Sequence, residues 1–120
     1  MYGRYTAHTR RLIDAVLQSS GETDSELRSA VETRAAQLGG RVPLSQTNPL
    51  PAELERYTKK VALHAYKVGD RDIEALQEAG YNDDAIFEMT LSAALGAGLA
   101  RLESGLRALR GEKNDAAQKH

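Results

Sequence analysis

The segment MTLSAALGAGLA, residues 89–100, constrains the fold most, because it has no charged side chain over twelve consecutive positions. It lies in the middle of a predicted helix that Asn82 caps and that continues to about Arg110. A helix that is uncharged on every side is expected to be buried all round. Gly96 and Gly98 each cost about 1 kcal/mol of helix propensity relative to Ala, so close packing must offset them. The small residues that would let neighbouring helices approach closely are Ala93, Ala94, Gly96, Ala97, Gly98 and Ala100.

The rest of the chain also shows helical periodicity, and no segment alternates with the period of a strand. Thr23 and Glu26 have the spacing of a capping box at the start of the second helix. The predicted fold is an all-α bundle of about five helices in one domain, residues 1–110, followed by a flexible polar tail, residues 111–120. The first predicted helix covers about residues 4–19, and the second extends from a cap at Thr23 to Gly39. A loop follows at residues 41–50. The third predicted helix extends from Pro51 to Val68, and the fourth from a cap at Asp70 to Gly80.

Composition excludes several classes of function. The net charge is −1, which gives no electrostatic reason to expect a nucleic acid or an acidic lipid as partner. The chain has no cysteine, so it cannot use disulfides, thiolate metal sites or a thiol nucleophile. His8 and His120 are isolated from other metal-binding side chains, and neither a metal nor a cofactor is predicted. With no signal-like segment and no uncharged run long enough to span a bilayer, the expected location is the cytoplasm and no membrane association is expected.

The uncharged segment is followed by an apolar surplus, by which we mean apolar residues beyond those that a small bundle can bury. Leu99, Leu102, Leu106 and Leu109 continue an apolar stripe beyond the part that a small bundle can surround. Such a surface is typical of a subunit interface, so we expect self-association. The alternative is a monomer in which the N-terminal helices cover the stripe.

Residues 73–95 have the outline of a helix-turn-helix motif, with Gly80 at the turn. A recognition helix meets phosphates and base edges, and this one would present Asp83, Asp84 and Glu88 to them. These charges argue against DNA binding, whereas a protein partner or a purely structural role stays open.

Residues 50–103 carry a resemblance to a known family. The segments concerned are LPAELERYTKKVA, the spaced Leu76 and Gly80 of EALQEAG, and YNDDAIFEMTLSAALGAGLARL. They resemble the carboxymuconolactone decarboxylase and AhpD-type alkylhydroperoxidase superfamily. The resemblance implies an all-helical fold that assembles as a dimer, trimer or hexamer.

The thiol branch of this family carries a Cys-x-x-Cys-x-x-x-His element, with a Glu twelve residues before the first Cys. Aligned on Leu76 and Gly80, the two Cys positions fall on Ala65 and Val68, the His position on Asp72, and the Glu position on Glu53. Only the Glu is retained. Because neither Ala65 nor Val68 can supply a thiolate, thiol peroxidase activity is not expected.

The decarboxylase branch of the family acts by acid–base chemistry on a small lactone. If this chain acts in the same way, the candidate catalytic residues are Glu53, His64 and Asp72. Tyr66 and Lys67 lie beside them, and an imidazole at the edge of an apolar stripe can serve as acid or base. Each candidate also has a structural explanation: Glu53 and Asp72 suit the first turns of their helices, and His64 suits a half-buried position with one hydrogen bond.

Helix three decides whether these groups can meet. If it is continuous, Glu53 and Ala65 lie about 18 Å apart along its axis, whereas a break between Ala62 and Ala65 would restore the family arrangement. The sequence therefore leaves three possibilities open: a family member that is catalytically silent, an acid–base enzyme acting on a small molecule, or a non-catalytic oligomeric scaffold.

Overall fold

The fold is known from a computed structural model that describes residues 7–41 and 49–119, with side chains as far as Gly111. These residues contain five α-helices and no strand, which confirms the all-α prediction. The helices are α1 (Ala7–Gln18), α2 (Ser25–Leu38), α3 (Ala52–His64), α4 (Asp70–Glu78) and α5 (Asp83–Lys119), with a 3₁₀ turn at Ala65–Lys67. Residues 4–6 of the first predicted helix and residues 42–48 of the predicted loop lie outside the described residues.

Helix α5 is the axis of the bundle, and α2 lies beside it in the same direction. The two helices are parallel, because Thr23, before α2, contacts Glu88 near the start of α5, and Arg41, after α2, contacts Glu103 further along α5. Between these ends the backbones nearly touch: a Cβ added at Gly96 would lie 2.1 Å from the carbonyl oxygen of Glu32. The expected close approach of a neighbouring helix at the small residues is therefore present on this side of α5.

Two more helices cover further sides of α5. Helix α1 packs Ile13 and Leu17 against Leu99. Helix α3 contributes the Tyr57 hydroxyl, which lies 2.8 Å from the hydroxyl oxygen of Thr90. The main core, which α2 to α5 share, contains Val31, Ala35, Leu54, Tyr57, Ala62, Leu76, Ile86, Met89, Ala93 and Ala97.

The fourth side of α5 is open, which corrects the prediction of a helix buried all round. The helices packed on α5 leave this side uncovered, and every residue that we assign to it is exposed. We call this side the outer stripe; its members are Phe87, Leu91, Ala94, Gly98, Leu102, Gly105 and Leu109. Leu99, which was predicted to belong to the apolar surplus, is instead buried under α1.

The helix starts differ from the sequence-based prediction at two of three caps. Asn82 does cap α5, because its Oδ1 accepts the Ala85 N–H at 2.8 Å. Thr23, however, lies before the cap position of α2, which Asp24 occupies. At the start of α4 the cap position is Gly69, and Asp70 is already the first helical residue.

The ends of α3 and α5 also differ from prediction. Helix α3 ends at His64, whose φ of −144° and ψ of 50° leave the helical region. Arg101 satisfies a carbonyl that this ending leaves without a helical partner, since its Nη2 donates to Ala62 O. Helix α5 continues to Lys119, past the end predicted near Arg110, because residues 112–119 contain neither Pro nor Gly and include several good helix formers.

Candidate functional site

Glu53 and His64 lie near opposite ends of α3, and the fold does not bring them together within one chain. The helix is unbroken between them, so their eleven-residue separation corresponds to about 16 Å along the axis. Both side chains are exposed. The helix does break at His64, between Ala62 and Ala65, where a break was expected to restore the family arrangement. Residues 53–64 nevertheless form one helix, so Ala65 also stays about 18 Å from Glu53.

His64 lies in an open aromatic corner. Its ring centroid is 6.2 Å from that of Tyr66, and the ring planes meet at 84°. The Lys67 ammonium lies 5.8 Å from the Tyr66 ring centroid, and Tyr66 is 81% exposed. The half-buried environment expected for His64 is therefore wrong. The imidazole of His64 is therefore open to water.

Asp72 has a clear structural task. Its Oδ1 accepts a hydrogen bond from Lys60 Nζ at 2.8 Å, and its Oδ2 accepts the Gly69 N–H at 2.9 Å. The Lys60 hydrogen bond, together with the Gly69 N–H, holds the pKa of Asp72 below its ordinary value. Asp72 thus stays ionised, fixes the start of α4 and ties it to α3.

Glu88 of α5, which the sequence analysis treated only as a charge on a helix surface, makes three hydrogen bonds to the connection between α1 and α2. Glu88 Oε2 accepts the Glu22 N–H at 2.8 Å. Its Oε1 accepts the Thr23 N–H at 2.9 Å and the Thr23 hydroxyl at 2.6 Å. Partial burial acts to raise the pKa of Glu88, but these bonds and the charge of Arg28 outweigh it and lower the pKa. Glu88 anchors the α1–α2 connection to α5.

Arg28 completes this connection from the other side. It is buried, and its Nη1 donates to Val16 O at 2.8 Å while its Nη2 donates to Ser19 O. These carbonyls lie at the end of α1, where helical partners are lacking. The Arg28 guanidinium therefore acts as a C-cap for α1.

A second ionic group, which is buried, lies at the opposite end of the α2–α5 contact. Arg41 binds Glu103 through two parallel hydrogen bonds of 3.0 and 2.9 Å, and its Nη1 lies 3.2 Å from Glu32 Oε1. Burial acts to lower the pKa of Arg41, but the bonds and charges of Glu103 and Glu32 outweigh it and raise the pKa above its ordinary value. The group is structural, because all three side chains are buried and turned toward one another.

The region between α4 and α5 contains a shallow depression of about 450 Å³, wide open to solvent. Its lining is polar, and Gln77 Nε2 donates to Asp83 Oδ1 across it at 2.8 Å. Asn82 and Asp84 form the rest of the lining. Among the described residues, no group of three His, Asp or Glu side chains could hold a metal ion.

The outer stripe is the most distinctive surface of the described chain. Phe87 is 62% exposed, Leu91 40%, Leu102 48% and Leu109 59%. From Phe87 to Leu109 the stripe extends over about 33 Å of helix, without a charged member. Its spacing is visible in the sequence, but the sequence alone does not show which sides of α5 the other helices cover.

Comparison with protein-family models, curated proteins and solved structures found no significant match for this chain. By length and composition, Asp83–Gly111 of α5 is the one segment of the described helices that would suit a membrane span. That is a weak indication, because a core helix passes the same test and half of the segment's most apolar part is buried inside the bundle.

Proposed function

We propose that the protein is a self-associating helical scaffold whose contact surface is the outer stripe of α5. The observation that supports this proposal is the row of exposed, uncharged residues along about 33 Å of one helix, which includes the large apolar side chains Phe87, Leu91, Leu102 and Leu109. Soluble monomers rarely leave a long continuous apolar surface open to water, and such surfaces are typical of interaction sites. A second copy would give α5 the neighbour that its fourth side lacks.

The packing of α5 against α2 supports a binding role. Glu88 and the Arg41–Glu103 pair fix α5 against α2 near both ends of their contact. Gly96 lets the two backbones touch between them. A face held in this way loses little conformational freedom when a partner covers it, which favours association.

The acid–base alternative has less support within a single chain. Glu53 and His64 are exposed and about 16 Å apart along α3. Asp72 is engaged by Lys60 and Gly69. Membership of the decarboxylase and AhpD-like superfamily stays a prediction, and the self-association proposed here agrees with what that resemblance implies. The absence of cysteine still argues against thiol peroxidase chemistry.

Sedimentation equilibrium over a concentration series tests the proposal. The chain has a mass of 13.1 kDa, and we expect a species of at least twice that mass at micromolar concentration. Because the contact is apolar, association should persist in about 0.5 M salt, where charges interact over only a few Å. A 13.1 kDa species that persists as the concentration rises would overturn the proposal.

A further inference from the structure

A row of leucines on α5 is partly hidden by α1. The row has the alternating spacing of four and three residues that is typical of a coiled-coil seam, and its members are Leu95, Leu99, Leu102, Leu106 and Leu109. Helix α1 packs on Leu99, and Leu95 lies at the edge of the same cluster. Further along α5, Leu102 is 48% exposed and Leu109 is 59% exposed. Helix α1 therefore hides the first two members of a row that is otherwise partly open to water.

Helix α1 is attached to the bundle through a small contact of its own. Of its twelve residues, Ile13 and Leu17 are the buried ones. With Leu99 they form an apolar cluster that is separate from the main core, and the members of that core come from outside α1. Parts of a protein that share few buried contacts with the rest open at a lower free energy than the whole. The packing of α1 therefore allows it to leave without disturbing the main core.

Helix α1 has little stability of its own. It has twelve residues, and helices shorter than about 12–15 residues are marginal in water when they have no surface to pack on. Its first turn has no acidic residue and its last turn has no basic one, so no side chain there complements the helix dipole. When α1 leaves the bundle it therefore loses its helical structure, and it folds again on α5 when it returns.

Arg28 of α2 holds the end of α1 in place. Its guanidinium donates to the carbonyl oxygens of Val16 and Ser19. The same guanidinium carries a cost, because its Nε is buried and has no hydrogen-bond partner among the described residues. Opening of α1 would let water reach Nε and would remove this cost. Arg28 is therefore a latch whose closed state is only partly satisfied.

A hinge lies beside this latch. Residues 19–21, with the sequence Ser-Ser-Gly, separate the end of α1 from Glu22 and Thr23. The N–H groups of Glu22 and Thr23 donate to the Glu88 carboxylate, and these bonds do not involve α1. They hold the chain on α5 just before α2 begins. An opening of α1 can therefore pivot at residues 19–21 and stop before it reaches α2.

We propose that α1 is a detachable cover, which opens as a unit at residues 19–21 while α2 to α5 stay folded, and which uncovers Leu95 and Leu99 when it opens. With α1 open, the row of leucines is accessible from its first member to its last, over about 21 Å of helix. The position of α1 then controls how much apolar surface α5 presents.

The rest of the bundle does not need α1 to stay folded. Gly96 lets α2 and α5 touch, and the buried Arg41–Glu103 pair fixes the far end of their contact. The cover goes beyond the proposed self-association and does not depend on it. A monomeric chain would overturn the proposed function and leave the cover in place, whereas the experiments below test the cover alone.

Hydrogen exchange of the wild-type chain at low urea concentrations tests whether α1 opens separately. We expect residues 13–18 of α1 to be protected at least about tenfold less than residues 31–36 of α2 and 89–97 of α5. Their exchange should also depend less on urea, because opening α1 exposes less surface than global unfolding. Equal protection and equal urea dependence would overturn the proposal, since the helices would then open only together. So would a complete lack of protection in α1, because a cover that never closes hides nothing.

Arg28→Gln tests the latch. We expect it to lower the protection of residues 13–18 by about tenfold, because two charge-assisted hydrogen bonds are lost, and to leave α2 and α5 unchanged. Arg34→Gln is the matched control, since Arg34 is also on α2 but bonds Glu55 of α3, and it should leave α1 unchanged. An Arg28→Gln chain that loses protection equally in all helices, or fails to fold, would overturn the role of Arg28, and the wild-type comparison then decides whether α1 opens separately.

Thiol labelling tests what the opening uncovers, and the cysteine-free chain provides a clean background. Leu99 is buried under α1, whereas Met89, also on α5, is buried in the main core. Under native conditions, Leu99→Cys should react with a maleimide at least about tenfold faster than Met89→Cys, which reacts only through global unfolding. Equal rates for the two variants would overturn the uncovering of the leucine row.

Discussion

Glu88 shows how much of this fold depends on a single side chain. One carboxylate accepts two backbone N–H groups and one hydroxyl from Glu22 and Thr23, which are distant from it in the sequence. Gly21, which precedes them, leaves space for this carboxylate: an added Cβ would lie 2.6 Å from a Glu88 carboxylate oxygen, which would have to move. The connection between α1 and α2 therefore takes its conformation from α5.

Replacing Glu88 by Gln should destabilise the fold by about 1–3 kcal/mol near neutral pH, because the amide nitrogen cannot accept one of the bonds. The pH dependence should change as well. The pKa of Glu88 is lowered in the folded protein, so its contribution is complete above the ordinary Glu value of about 4.3 and is lost as the pH falls below it.

Urea unfolding from about pH 7 to pH 3 would measure this effect. The wild type should lose stability between about pH 5 and pH 3, and Glu88→Gln should lose less over that range. Glu74→Gln, on the exposed side of α4, is the matched control and should follow the wild type. Equal pH slopes for wild type and Glu88→Gln would contradict the role given to this carboxylate.

At the scale of elements, the packing of α2 on α5 depends on the absence of a side chain at Gly96. A methyl group there would lie 2.1 Å from the Glu32 carbonyl oxygen, and backbone cannot move aside as a flexible side chain can. Gly96→Ala should therefore cost about 1–3 kcal/mol or more, although Ala is the better helix former.

Gly111→Ala is the matched control for that substitution. Gly111 also lies in α5, and no atom of the described side chains lies within 4 Å of an added Cβ there. Its replacement should leave stability unchanged or raise it by up to about 1 kcal/mol. Thermal and urea unfolding of both variants compare the two sites, and a Gly96→Ala protein as stable as Gly111→Ala would disprove the tight α2–α5 contact.

Helix type and number could be predicted from the sequence, whereas some helix ends could not. The Thr23–Glu26 spacing fits the local pattern of a capping box, yet the Thr23 N–H and hydroxyl donate to the Glu88 carboxylate instead. A contact between residues so far apart in the sequence outweighs the local preference, and no local pattern reports it. Asn82 was predicted correctly because its cap bond goes to Ala85, three residues on, and needs no distant partner.

At the scale of the whole molecule, the apolar surplus was predictable but its location was not. Leu99 and Leu102 read alike in the sequence, yet α1 covers the first and leaves the second 48% exposed. The candidate site was less predictable still. Glu53, His64 and Asp72 came from a family resemblance, and the fold gives Asp72 a structural role while leaving Glu53 and His64 exposed near opposite ends of α3.

One comparison of masses tests most directly whether copies of the chain meet through the outer stripe. Leu102→Glu places a carboxylate in the proposed contact, whereas Leu12→Glu places one on α1, at a site that is 57% exposed. Burying an unpaired charge should cost at least about 3 kcal/mol, which weakens association roughly a hundredfold. By sedimentation equilibrium, at a concentration where the wild type is dimeric, Leu12→Glu should remain dimeric and Leu102→Glu should fall toward 13.1 kDa. Equal masses for the two variants would contradict self-association through the outer stripe.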